Sequence, residues 1–258
     1  MLRASLAGFF ARKDVRTVVG WLKEPVLSVL SVFVFVTVVT QPFYVPSGSM
    51  EPTLAIGDAV LAAKFPYGYS RYSIPFVAGP SPSSRFLGSL PKRGDVVVFR
   101  LPRDPSITYV KRAIGLPGDR IQMIAGRLWI NGRQLPLRKA DIGQDEMGDG
   151  SLLDVPIYIE TLPGGREHPI FKRQWDGPLD NTPVFTVPDG NVFMMGDNRD
   201  DSLDSRVAAG DGGVGFVPAG NLIGPAFIAL GSVDFLNADG LWDWPFQFRF
   251  SRVLAIVR

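Results

Sequence analysis

The 258-residue sequence contains no cysteine and a single histidine, His168. The first absence excludes disulfides, thiolate zinc sites and a thiol nucleophile. The second leaves no imidazole pair for a metal motif. His168 lies in Arg166-Glu167-His168-Pro169 with no metal-type carboxylate spacing around it, and reads as a surface loop residue. No metal and no other cofactor is expected. An excess of one charge is also missing. With 27 basic against 25 acidic residues the formal net charge is +2, so no global field favours nucleic acid or an acidic substrate.

What is present is β texture. The sequence holds 28 Gly and 22 Pro, scattered between short runs of Val, Ile and aromatics, as expected for many short strands joined by turns. A hydrophobic share of 46% suffices for a sizeable core. Candidate strands are 59–64, 95–100, 108–114, 120–124, 127–130, 155–160, 184–187, 191–195 and 222–230. Asn131-Gly132 and Asp189-Gly190 are hairpin turn signals. Segments 66–94 and 139–154 read as loops.

One stretch, VLSVLSVFVFVTVVTQPFYV at 26–45, carries no charge and has the length of a membrane-spanning helix. Arg3, Arg12, Lys13, Arg16 and Lys23 precede it, opposed only by Asp14 and Glu24. The positive-inside rule then places 1–25 in the cytoplasm and 50–258 outside. A cleaved secretory signal is the competing reading, disfavoured by the long basic region and by Pro46 within the would-be cleavage triplet. Two aromatic segments, 65–76 and 241–248, read either as core or as surface that dips toward lipid.

Three stretches carry polar groups that chemistry could use. Pro46-Ser47-Gly48-Ser49-Met50-Glu51-Pro52 follows the apolar run, and by itself is an ordinary tight turn. Tyr109-Val110-Lys111-Arg112-Ala113 embeds a lysine in an apolar strand, where alternation puts Tyr109, Lys111 and Ala113 on one face and Arg112 on the other. Lys111 is then either an edge-strand surface lysine or a buried one. A serine needs a base to become a nucleophile. With a reference pKa near 10.4, only about one lysine in a few thousand is neutral at pH 7, but burial in apolar surroundings lowers that value by up to several units. The third stretch, Gly196-Asp197-Asn198-Arg199-Asp200-Asp201-Ser202-Leu203-Asp204-Ser205-Arg206, is either a solvated loop or a buried polar network.

Four segments in order, SGSMEPTL, GDVVVFR, YVKRAIGLPGD and GDNRDDSLDSR, resemble the hallmark boxes of bacterial type I signal peptidases, a Ser-Lys dyad serine protease family. The resemblance spans about 26–230. It implies Ser49 as nucleophile, Lys111 as general base, and an oxyanion hole from the Ser49 N–H and the Ser47 hydroxyl. It further implies that Ser202 orients the lysine, with Asp204, Arg206 and Asp197 supporting the site. Phe43, Val45, Pro46, Met50, Leu54, Tyr109 and Val110 match pocket-lining positions for cleavage after an Ala-X-Ala pattern.

The implied substrate is a preprotein signal peptide bound as an added strand, the implied location the outer face of a bacterial plasma membrane. The expected fold is mainly β. A transmembrane helix precedes an antiparallel sheet or partial barrel, 46–124 with 191–258, that carries an inserted β subdomain at 125–190. Two features depart from the family pattern: a single span, where some relatives have two, and about half a dozen extra residues in VAAGDGGV at 207–214. Gly210 to Gly215 formally match a dinucleotide fingerprint, but Phe-Val-Pro follows in place of a helix, so no nucleotide is expected. The alternatives are a self-cleaving Ser-Lys protease and an inert tethered β-domain.

Overall fold

A computed structural model describes residues 13–73, 85–147, 150–233 and 248–258, with side chains described from residue 20 onward. The helix α1 (Lys13–Val38) opens it. Its portion Gly20–Val38 has 19 residues and a mean hydropathy of 1.7, and is not covered by the rest of the protein. The hydroxyls of Ser28, Ser31 and Thr37 donate to carbonyls one turn back. The polar groups on this apolar helix are thereby satisfied internally, as a lipid surrounding would require.

The helix stops at Val38, short of the expected end at residue 45. Thr40–Tyr44 instead forms strand β1, paired antiparallel with β2 (Asp58–Ala63) from Thr40↔Ala63 to Tyr44↔Ala59. An apolar, β-branched run suits a lipid helix and a strand equally. Pro42, which lacks the N–H a helix interior needs, tips this part toward an edge strand.

Chain order continues through β3 (Val96–Leu101), β4 (Asp104–Gly115), β5 (Arg120–Ile124), β6 (Arg127–Ile130), β7 (Arg133–Gln134) and β8 (Leu137–Glu146). It then runs through β9 (Leu152–Thr161), β10 (Glu167–Phe171), β11 (Phe185–Thr186), β12 (Asn191–Met195), β13 (Val217–Pro218), β14 (Leu222–Ser232) and β15 (Ala255–Ile256). The main sheet has the order β1-β2-β14-β3-β4-β12-β13, with β15 against β14. Two further sheets are a four-stranded one, β11-β5-β6-β7, and a three-stranded one, β10-β9-β8. The mainly β, antiparallel architecture is as expected. The 124/125 limit falls within the β5–β6 hairpin.

Strand β3 is buried on both sides. Val96 and Val98 face one apolar cluster with Val45, Met50 and Leu54, while Val97 and Phe99 face another with Ala113, Met194 and Leu222. Asn131 and Gly132 both have positive φ, 52° and 76°, and join β6 to β7 as a hairpin. Asp189-Gly190 is a turn but not a hairpin, because β11 pairs with β5 whereas β12 pairs with β4 and β13. The segment 139–154, expected to be a loop, is mostly the long β8–β9 ladder. Most of β8 is solvent-exposed on both faces, so no apolar alternation marks it as a strand.

His168 is likewise not a surface residue: it sits in β10 at 2% exposure. In the first aromatic segment Tyr67 and Tyr72 are core, while Phe65 is exposed; residues 74–76 and 241–247 lie outside the described residues. The 207–214 insertion folds as a compact turn with a single helical turn at Ala209–Asp211, and Val214 packs into the core.

Candidate active site

Ser49 and Lys111 meet although 62 residues separate them. Chain direction reverses after β1, and Gly48–Met50 makes one tight helical turn that carries Ser49. Gly196 accepts this turn closely: a Cβ there would lie 2.4 Å from the Ser49 carbonyl oxygen and 2.2 Å from Ser202 Oγ. Only glycine fits between the two motifs. The Asn198 N–H donates to the Ser49 carbonyl at 3.2 Å.

Lys111 projects from β4 to the opposite side from Arg112. Its Nζ is 2.5 Å from Ser49 Oγ and 5.4 Å from the centre of the Tyr109 ring. Ser47 Oγ lies 3.3 Å from Ser49 Oγ. Lys111 is 3% exposed. Burial pushes its ammonium down to about 8, against the upward pull of Asp204 and Asp197. A group with that value is neutral in a useful fraction near neutral pH.

The third motif forms a buried polar network. Asp204 accepts from the Gly196 N–H at 3.0 Å and from Arg206 Nε at 2.9 Å, and Arg206 Nη2 reaches the Arg199 carbonyl at 2.8 Å. Burial works against ionisation of Asp204, but the adjoining Arg206 guanidinium and the N–H donors outweigh it and hold the carboxyl below its ordinary range. Asp197 does not pair with Arg206. It takes a two-pronged bond from Arg112, at 2.8 and 2.6 Å, and one from Thr53 Oγ1 at 2.5 Å, joining the serine and lysine motifs from beneath. Ser202 Oγ is buried and has no hydrogen-bond partner among the described residues, so its place beside the site is seen without a bond to Lys111.

His168 is occupied elsewhere. Its Nε2 lies 3.5 Å from Glu160 Oε2 and from Arg199 Nη2, and burial pushes it down to about 4, which leaves it neutral. The hydroxyl of Ser49 meets Lys111 and Ser47 instead.

A cleft of about 370 Å³ opens over the dyad. Phe43, Val45, Pro46, Tyr109 and Val110 line it, together with Ser47, Ser49 and Lys111. Met50 and Leu54 do not: both are 0% exposed and fill the core under the serine turn. The sequence reading missed Ile107 and Thr108 from β4, and Asp201 and Leu203 from the third motif, all of which line the cleft. For Asp201 and Leu203 the signal was available, since both stand inside a motif already singled out.

A model of the signal peptidase family, peptidase S26, matches residues 18–230. The chain belongs to this family. Signal peptidase I of Rickettsia akari is 41% identical over 195 residues, covering 73% of this chain and 70% of that protein. Signal peptidase I of Rickettsia typhi is 42% identical over the same shares. A crystal structure of a signal peptidase I from Enterococcus faecalis V583 is 27% identical, covers 53% of this chain and 97% of that one, and aligns with a TM-score of 0.32. Membership makes the chain a peptidase, and signal-peptide removal is the activity its family supports.

Proposed function

We propose that this chain is a membrane-anchored endopeptidase that removes signal peptides with Ser49 as nucleophile and neutral Lys111 as general base. The observation that carries the reading is the 2.5 Å contact between Lys111 Nζ and Ser49 Oγ at the floor of an apolar cleft.

Neutral Lys111 takes the Ser49 proton as Oγ attacks the scissile carbonyl. The developing oxyanion is met by the Ser49 N–H and the Ser47 hydroxyl, where one well-placed donor is worth about 3–4 kcal/mol. The resulting ammonium returns its proton to the leaving amine, which is the new N-terminus of the mature protein. A water then attacks the acyl-serine with Lys111 again as base.

Binding follows from the strand edges. β1 is terminal in the main sheet, and β12 pairs with β4 only from Arg112 to Gly115. The cleft lies between β1 and the earlier part of β4, so an extended peptide can add as a strand there. Phe43, Val45, Tyr109 and Val110 give it apolar walls suited to small side chains before the cut. The chain from the helix end at Val38 to Ser49 is a short connection that includes the five-residue β1, which keeps the cleft near the membrane surface. The basic residues before the helix put the cleft on the outer face.

The test incubates the purified full chain in detergent with a preprotein, alongside Ser49→Ala and Lys111→Ala. Cleavage after an Ala-X-Ala site by the parent alone is expected. Cleavage that survives either substitution contradicts the dyad.

A further inference from the structure

Asn198, in the third motif, grips the serine turn from a separate part of the chain and is 0% exposed. Its side-chain Nδ2 donates to the Gly48 carbonyl at 3.3 Å and to Asp145 Oδ1 at 2.9 Å. Its main-chain N–H donates to the Ser49 carbonyl at 3.2 Å. Those two carbonyls belong to the peptide units on either side of the Ser49 Cα. One residue thus holds the backbone before and after the nucleophile.

The contact with Gly48 sets a direction. A trans peptide unit is planar, and its C=O and N–H point to opposite sides. The Gly48 carbonyl shares its unit with the Ser49 N–H, so whatever holds that carbonyl also aims that N–H. A carbonyl oxygen has two lone pairs. The Glu51 N–H meets one at 2.9 Å, closing the helical turn, and Asn198 Nδ2 meets the other. The first bond lies within the turn and moves with it, whereas the second fixes the turn to its surroundings.

The Asn198 amide is itself aimed. Asp145, 0% exposed at the end of β8, is ion-paired with Arg173 and offers only acceptors. It takes Nδ2; the reversed amide would set oxygen against oxygen. Both hydrogens of Nδ2 are then placed, one on Asp145 and one on Gly48. The backbone around Asn198 is held by Phe171 of β10. The Phe171 N–H donates to the Asp197 carbonyl at 3.0 Å, and the Arg199 N–H donates to the Phe171 carbonyl at 3.1 Å.

We propose that Asn198 is a positioning residue for the oxyanion hole: through the Gly48 carbonyl it aims the Ser49 N–H at the oxygen of the attacked carbonyl, and Asp145 keeps its amide turned to do so. The inference deepens the Ser49–Lys111 reading and rests on it. A donor aimed at a developing oxyanion acts on the transition state more than on the bound substrate. Its loss therefore falls on kcat and not on KM. Lys111 is not touched, so the acid limb of the pH–rate profile, where Lys111 takes up its proton, stays in place.

The experiment measures kcat and KM on a preprotein from pH 6 to 10 for the full chain in detergent and for Asn198→Ala, Asn198→Asp and Asp145→Ala. Asn198→Ala should lose a large part of the roughly 10²–10³-fold in kcat that deleting an oxyanion-hole donor costs, with the KM and acid limb of the parent. Asn198→Asp keeps the shape but removes the donors, and should be no faster than Asn198→Ala. Asp145→Ala leaves Asn198 in place and frees its amide to turn, so it should show the same pattern with a smaller loss. A loss carried by KM, a displaced acid limb in Asn198→Ala, or an Asn198→Asp variant as fast as the parent overturns the proposal.

Inhibitor binding gives a readout that needs no turnover. A peptide aldehyde ending in Ala-X-Ala adds to a serine hydroxyl and leaves its oxygen in the oxyanion hole, whereas the matching peptide alcohol cannot. Asn198→Ala should weaken the aldehyde about as much as it lowers kcat and leave the alcohol unchanged. Equal weakening of both contradicts the proposal, because the whole cleft would then have changed. Cleavage that survives Ser49→Ala would sink the Ser49 reading; an inactive Ser49→Ala beside a fully active Asn198→Ala would sink the positioning role alone.

Discussion

Lys111 and Lys172 are both withdrawn from water, at 3% and 1% exposure, yet their surroundings differ in kind. Lys172 is wedged between Asp180, at 2.5 Å, and Asp200, which is closer still, with the Trp175 ring 5.8 Å away. Lys111 has a serine hydroxyl and the Tyr109 face. The carboxylates that act on it most, Asp204 and Asp197, are committed to Arg206 and Arg112. These two, of the three lysines buried among the described residues, thus divide the labour. One is a fully compensated ion that ties the 172–180 loop to the third motif. The other is left with the desolvation cost of its charge, and that cost makes it a base.

The contrast can be broken most severely at Lys111. Lys111→Ala should lower kcat/KM by at least the roughly 10²–10⁴-fold expected of a general base. Lys111→Arg should fare no better, because a guanidinium keeps its proton. Steady-state cleavage at saturating and limiting preprotein concentrations checks this.

Lys172→Met should act on stability instead. Removing the cation leaves Asp180 and Asp200 facing each other in the interior, and breaking a buried pair in this way costs about 3–5 kcal/mol. Thermal or denaturant unfolding reads the loss. The pH at which the acid limb falls should stay that of the parent, since Lys172 is not the base.

The smallest effect sharpens the distinction. Asp201, with a side chain 57% exposed, lines the cleft and raises Lys111 weakly, as the least of its resolved influences. Asp201→Asn should move the acid limb to slightly lower pH with little change in the limiting rate. A shift to higher pH would mean that Asp201 does not act on Lys111 through its charge.

How much of this was legible in the sequence depends on the range of the interaction. Alternation along β4 correctly separates Lys111 from Arg112, and Asn131-Gly132 marks its hairpin, because both are local. The burial of Lys172 and His168 was not legible, since it depends on Asp180, Asp200, Glu160 and Arg199, which only the fold brings near. Strand β8 escaped notice for the opposite reason, although part of its partner β9 was expected at 155–160. The residues of β8 are mostly polar and exposed, and pairing along the backbone leaves no trace in hydropathy. Met50 and Leu54 matched pocket positions by motif, but their side chains turn inward to support the serine turn. The helix end was misplaced because the same Val-rich run suits lipid and sheet alike.

The most direct measurement titrates Lys111 itself. The sequence has seven lysines, so ¹³Cε-labelled lysine in the full chain gives few signals, and Lys111→Arg assigns the one that matters. The account predicts that this signal titrates with a midpoint near 8, in step with the acid limb of cleavage. A midpoint near the ordinary lysine value of about 10.4 would contradict it.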